Sequence, residues 1–152
     1  MDPTRRTFLG VTVGAVTLAA SALLASARAF AAWNKSGFEA KAANEAIKNL
    51  GAANLIESKD IAIVVPDIAE NGAVVPVAVT SKIPNTQSIS IVAEKNPFPL
   101  AATFDIANGA DSYASVRIKM GQTSNVRAVV KADGKFFTAS KEVKVTIGGC
   151  GG

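Results

Sequence analysis

One residue in this 152-residue chain stands out as able to form and break covalent bonds. Cys150 is the only cysteine, and it sits in Gly148-Gly149-Cys150-Gly151-Gly152. A thiol can act as a nucleophile, a metal ligand, a disulfide partner or an attachment point. The chain has no histidine. That excludes a Ser-His-Asp triad, a haem axial histidine and the ordinary zinc and copper sites within this chain. An internal disulfide is impossible with one cysteine. A free thiol titrates near about 8.5, and no imidazole or adjacent cation is present in the sequence to lower that. The nearest lysine, Lys144, is six residues back. Cys150 therefore reads as a group that another protein must activate. The glycines define how it is presented. They lack Cβ and resist ordering, so residues 148–152 read as a thin, flexible arm. With Ile147 as the last anchored residue, the Cys150 Cα reaches about 10 Å beyond the sheet at roughly 3.3–3.6 Å per residue. Such an arm suits a narrow channel in a second protein.

The carboxylates are less promising. Asp60 with Asp67, Asp105 with Asp111, and Glu94 alone can be written as acid and base residues. Each falls at a strand end or turn, where acidic residues are ordinary solvated groups. The glycines do not precede a helix as a phosphate loop requires. Basic side chains over 113–119 and 127–131 read as solvated strand faces.

The elements that must position the arm follow from the periodicity. Ser36 and Glu39 form an S-x-x-E pattern that predicts a capping box at a helix start. Phe38, Ala42, Ala43, Ala46, Ile47 and Leu50 recur at helical spacing, and Gly51 supplies the stop. One amphipathic helix is predicted, packed on its own sheet or on a partner. From Asp60 the period becomes two. Strands are expected around residues 61–65, 75–79, 88–93, 102–106, 113–120, 126–131 and 135–147. Turns are expected at Glu70-Asn71-Gly72, Ile83-Pro84-Asn85, Asn108-Gly109 and Gly121–Ser124, with a rigid loop at Lys95–Pro99. Pro76 marks an edge or a strand start. Ala114, Val116, Ile118 and Met120 alternate cleanly with Tyr113, Ser115, Arg117 and Lys119. Asp133-Gly134 is the strongest hairpin signal. Seven short strands with polar faces predict an all-β, immunoglobulin-like antiparallel sandwich with one N-terminal helix. Trp33 lies ahead of it and reads as an anchor for that end.

The first 31 residues do not belong to that pattern. Arg5-Arg6 precedes Phe8-Leu9, an apolar run from Gly10 to Ala27, and A-x-A sites at 25–27, 27–29 and 29–31. A charged start, apolar middle and small-residue end predict a secretory signal, and the paired arginines favour the twin-arginine type. The run is rich in Ala, Gly and Thr, so cleavage is expected rather than a membrane anchor. Three units result: a signal over 1–31, a domain over 32–147 and the arm over 148–152. The signal holds Arg5, Arg6 and Arg28 against Asp2, so its removal leaves 13 basic and 11 acidic side chains. No basic block remains, which argues against a nucleic-acid partner. Periplasmic export gives Cys150 its weight, because an exposed thiol there invites oxidation unless it is used.

With these residues in view, the chain resembles the SoxY family of bacterial sulfur oxidation. The resemblance rests on the Gly148–Gly152 arm and on the segments Lys95–Ala101, Met120–Val126, Val130–Lys135 and Lys141–Ile147. The twin-arginine start agrees with it. It implies an immunoglobulin-like domain paired with SoxZ, which would be exported together with this chain. It implies no cofactor on this chain, only sulfur intermediates held on Cys150. In the implied cycle the cytochrome SoxAX joins thiosulfate oxidatively to the Cys150 sulfur. The manganese-dependent hydrolase SoxB then releases sulfate and leaves a persulfide. A sulfane dehydrogenase, SoxCD, oxidises the outer sulfur in organisms that have it. No membrane contact is implied after signal cleavage.

Two other readings use the same residues. An exported immunoglobulin-like module could make a structural intermolecular disulfide through Cys150. A ubiquitin-like carrier also ends in glycines, but such domains are cytoplasmic and wrap a sheet around a central helix. The export signal and the run of strands argue against the latter.

Overall fold

A computed structural model describes residues 34–107 and 109–146, all within one compact unit. The export signal, Trp33, Asn108, Ile147 and the arm with Cys150 lie outside the described residues.

Two short helices lead into nine strands: α1 (Lys35–Glu39), α2 (Ala43–Asn49), β1 (Leu55–Glu57), β2 (Ile61–Val64), β3 (Ile68–Ala69), β4 (Val75–Ser81), β5 (Thr86–Ala93), β6 (Leu100–Asp105), β7 (Tyr113–Ile118), β8 (Ser124–Ala132) and β9 (Lys135–Val145). The larger sheet runs β1-β9-β8-β5-β6, with β3 also on the β1 edge of β9. The smaller sheet runs β2-β4-β7. This is an immunoglobulin-like β-sandwich. Inward rows from both sheets form its centre: Val75, Val77, Val79, Ile89, Ile91, Val126, Ala128, Val130 and Val143, all buried. Each large side chain of this kind contributes about 1.5–3 kcal/mol of burial. The β7 alternation is as the sequence predicts, with Ala114, Ile118 and Met120 buried and Tyr113, Ser115 and Arg117 exposed.

The seven predicted strands are all present, as β2 and β4–β9. The two extra ones, β1 and β3, are only three and two residues long. Both pair parallel to β9. Too short to display a period, they are strands only because β9 offers them an edge.

The predicted single helix is in fact two. Ser36 is not the cap; Asn34 is, with its side-chain oxygen accepting from the Gly37 N–H at 2.9 Å. Ser36 lies inside the first turn and donates to Asn34 Oδ1 at 3.1 Å. Glu39 is paired with Lys35 at 3.6 Å on the exposed surface instead of reaching back to a cap. Between the helices Ala40 and Ala42 are extended. The reason is tertiary. Asn34 Nδ2 donates to Asn49 O at 2.7 Å, and Asn49 Nδ2 to Ser36 O at 2.9 Å. In a continuous helix residues 34 and 49 would be about 22 Å apart, at 1.5 Å per residue. The break folds α1 back on α2 and buries Ala40, Ala46, Ile47 and Ala52 against Val92, Leu100 and Val129. The helices thus cover the outer face of the larger sheet, their own sheet rather than a partner. Gly51, at φ 85°, ends α2 as expected. Its N–H donates to Lys48 O at 2.9 Å and that of Ala52 to Ile47 O at 3.2 Å, a Schellman close.

Pro76 is the second residue of β4, the central strand of its sheet. Pairing with β2 begins only at Ala78, so the missing N–H costs no ladder bond on that side. Asp133 and Gly134 both have positive φ, 48° and 71°, and close the β8–β9 hairpin as a two-residue turn with Ala132 opposite Lys135.

Candidate functional site

The described part of the site is the base of the arm. Strand β9 carries the chain towards Cys150, and its end is held on both sides. Lys144 N–H donates to Asp67 O at 3.0 Å and Thr146 N–H to Ala69 O at 3.2 Å, through β3. On the other side Val143 lies opposite Ser124, and Val145 N–H donates to Thr123 Oγ1 at 3.0 Å. Val143 is fully buried. The chain is therefore held as far as Thr146, the last described residue; the Ile147 expected from sequence as the last anchored residue lies outside the described residues.

A tight polar corner surrounds this exit. Asn96 Nδ2 donates to Lys119 O at 2.6 Å, and its Oδ1 accepts from Gly121 N–H at 3.3 Å. Gln122 Nε2 donates to Lys95 O at 3.2 Å, and Ser124 Oγ accepts from Lys95 N–H at 3.0 Å. One residue away, Glu94 Oε1 takes two donors from Arg127, Nε at 2.7 Å and a terminal nitrogen at 2.6 Å. Its Oε2 accepts from Asn125 Nδ2 at 3.2 Å. Both partners of that ion pair are mostly shielded, 28% and 23% exposed. Gly72 closes the remaining side. Its carbonyl accepts from Met120 N–H at 2.7 Å, so closely that a Cβ there would overlap Met120 O and come within 2.8 Å of Val145 Cγ1.

Three of the four segments that carry the family resemblance, 95–101, 120–126 and 141–147, thus converge on the arm's base. The fourth, 130–135, forms the hairpin at the other end of β8. Sequence reading found the Lys95–Pro99 loop and the 121–124 turn separately. It missed their mutual ties and the part Gly72 plays, because those contacts span 23 to 29 residues or more and leave no periodic trace.

The carboxylates are ordinary. Asp67 pairs with Lys141 at 3.0 Å in an exposed position, and Glu94 is fully engaged. Asp60, Asp105 and Asp111 are exposed. Among the described residues no group of three or more His, Cys, Asp or Glu side chains is placed to hold a metal. No helix among them is long and apolar enough to cross a membrane. An open cleft of about 440 Å³ lies against β9, lined by Glu57, Ser58, Lys59, Arg127, Thr138, Ala139 and Ser140.

No curated protein matches the chain. Its residues 47–150 match the model of the family "Sulfur oxidation protein SoxY". Among solved structures, the sulfur carrier protein SoxY from Chlorobium limicola f thiosulfatophilum is 42% identical, with a TM-score of 0.60, over 66% of this chain and 92% of that one. An engineered protein (17% identity, TM-score 0.40, 57% of this chain and 20% of that one) is too distant to carry an argument. So is toxic shock syndrome toxin-1, a bacterial superantigen (13%, 0.38, 56% and 100%). The family match spans more than half of the sequence, and it takes in the arm-base corner and runs through to Cys150: the chain belongs to the SoxY family.

Proposed function

We propose that this chain is a periplasmic, non-catalytic carrier of sulfur intermediates in thiosulfate oxidation. The observation that carries the reading is the family match that extends to Cys150, the chain's one thiol and so its one residue able to hold sulfur through an S–S bond. In this reading residues 1–31 are a twin-arginine signal recognised through Arg5, Arg6, Phe8 and Leu9. Residues 32–147 are the handle. Gly148, Gly149, Gly151 and Gly152 let Cys150 enter successive active sites.

The chemistry belongs to the partners. SoxAX removes two electrons and a proton as the Cys150 thiol and thiosulfate join through a new S–S bond, giving a cysteine S-thiosulfonate. SoxB adds water across the bond between the sulfane and sulfone sulfurs, releasing sulfate and leaving a persulfide. SoxCD, where present, oxidises the outer sulfur so that SoxB can release it. SoxZ is the constant partner, and no cofactor is required on this chain. The well-anchored β9 end supports the reading, because a carrier needs a firm base beneath the arm.

The test is replacement of Cys150 in a reconstituted system of SoxZ, SoxAX, SoxB and SoxCD. Cys150→Ser is expected to abolish thiosulfate-dependent cytochrome reduction while the domain still pairs with SoxZ. Turnover by Cys150→Ser at the unmodified rate would overturn the proposal. So would an obligatory disulfide dimer that breaks up the domain when reduced, which would favour a structural module.

A further inference from the structure

Strands β2, β4 and β7 turn one row of side chains to the core and the other row outward. Pairing sets the outward row side by side: Ala62 with Thr80 and Tyr113, Val64 with Ala78 and Ser115, and Pro76 with Arg117. Helices α1 and α2 pack on the outer face of the larger sheet, whereas this face is open. Val64 is 68% exposed, Tyr113 53%, and Val74, just ahead of β4, 50%. Single exposed apolar residues are normal, but a contiguous set on one flat face marks an interaction surface.

Charge sits at the two ends of the face, and its sign differs between them. At one end Asp60 and Asp111 flank Lys82, two carboxylates against one ammonium, for a net of −1. Lys82 N–H donates to Asp60 O at 2.8 Å, which holds that end together. At the other end Arg117 and Lys119 stand beside Pro76 and Val74 and give +2. None of these five charged side chains is in an ion pair among the described residues.

A face with opposite ends complements a copy of itself. Val64, Ala78 and Ser115 lie on one line across the three strands. A two-fold axis along that line turns a second copy end for end and stacks each strand on its own counterpart, running the opposite way. Lys119, four residues past Ser115, then falls over Asp111, four residues before it. Arg117 falls over the Tyr113 ring in the same way, and Val74 over the stem of Lys82. The other two-fold, along β4, would bring the two cationic ends together, so charge selects the first. From Val74 to Lys82 the face runs about 27 Å at about 3.4 Å per residue, and it is about 14 Å wide at about 4.8 Å per strand. That is about 400 Å², the size of a functional patch on a monomer but below the roughly 800 Å² per partner of a tight interface. A pair of this size is weak and concentration-dependent.

We propose that a second copy of this chain seats on the outer face of β2-β4-β7, turned end for end about an axis through Val64, Ala78 and Ser115. Lys119 of each copy meets Asp111 of the other. The arm-base corner lies at the Lys119 end, where Met120 N–H donates to Gly72 O. The pair therefore carries its two arm bases at opposite ends, where neither blocks the other. This pairing needs no chemistry at Cys150 and stands apart from the carrier reading.

The test is sedimentation of the full mature chain alone from about 10 µM to about 1 mM, the range in which small interfaces associate. A reversible dimer is expected for the wild type and equally for Cys150→Ser. Val64→Asp sets two carboxylates against each other on the axis and is expected to weaken association by more than about 10-fold. Lys119→Asp and Asp111→Lys each bring like charges together and should weaken it by about 3- to 10-fold. The double variant restores the pair with its signs exchanged and should return to within about 2-fold of the wild type. Ile56→Asp, an exposed apolar position on the other sheet, should associate as the wild type does. Thermal melts confirm that each variant folds. A wild-type chain that stays monomeric at about 1 mM overturns the proposal. So does a double variant as weak as the single ones, or a dimer lost in Cys150→Ser, which would be a disulfide between arms. Loss of SoxZ binding in Val64→Asp with self-association unchanged would give the face to that subunit and overturn it too.

Discussion

Replacing Gly72 by alanine tests the arm-base corner most sharply. The Gly72 backbone is not left-handed, so the new methyl carries no conformational penalty of that kind. The cost is one of space. The added Cβ would overlap Met120 O and approach Val145 Cγ1 to 2.8 Å. Backbone cannot swing aside as a surface side chain can, so Met120 or the 70–73 turn must move. Overpacking of this kind costs about 1–3 kcal/mol. Movement also lengthens the 2.7 Å bond from Met120 N–H to Gly72 O, for about another 1 kcal/mol. The expected loss is about 2–4 kcal/mol, or about 8–20 °C in Tm for a domain of this size. Urea and thermal unfolding followed by circular dichroism give both values. Hydrogen exchange locates the damage, with faster exchange expected first at Met120, Val145 and Thr146. Gly121→Ala is the matched control, because nothing lies within 4 Å of its added Cβ. Its stability should stay within about 0.5 kcal/mol or rise slightly, since alanine restricts the unfolded chain. A Gly72→Ala protein as stable as Gly121→Ala would refute the packing argument.

Other outcomes follow from the same structure. Glu94→Ala leaves the Arg127 guanidinium partly shielded without its carboxylate and should cost about 1.5–3 kcal/mol, with Glu94→Gln costing less. Denaturant melts of the two variants would show it. Ile91→Ala, in the fully buried centre of the sandwich, should cost about 2–5 kcal/mol by the same measurement. Gly134→Ala places a side chain at φ 71° in the β8–β9 turn and should lose about 1 kcal/mol although no atom stands in its way.

Much of the fold is written locally. The β7 alternation, the Asp133-Gly134 turn and the Gly51 stop each depend on neighbouring residues, and each stands where the sequence puts it. What escaped sequence reading depends on distant partners. Strands β1 and β3 exist because β9, 81 and 76 residues away in register, lends them hydrogen bonds. The predicted helix breaks because Asn34 donates to the Asn49 carbonyl and Asn49 to the Ser36 carbonyl across two short helices, which overrides a plausible Ser36–Glu39 capping signal. Gly72 looks like any turn glycine until Met120 is brought against it. The candidate site divides in the same way. The proposal for Cys150 rests on its residue type and glycine frame, and that residue lies outside the described residues. The corner at the end of β9, tied together by Asn96, Gln122 and Ser124, was legible only as separate segments.

The central claim is that Cys150 carries substrate sulfur. Intact-mass analysis of the mature chain, purified with SoxZ and incubated with thiosulfate, SoxAX and an oxidised acceptor, tests it directly. A thiosulfonate adduct on Cys150 is expected, converting to a persulfide when SoxB is added, with neither species on Cys150→Ser. A wild-type Cys150 that remains a bare thiol throughout, while SoxAX is active on an authentic SoxY control, would contradict it.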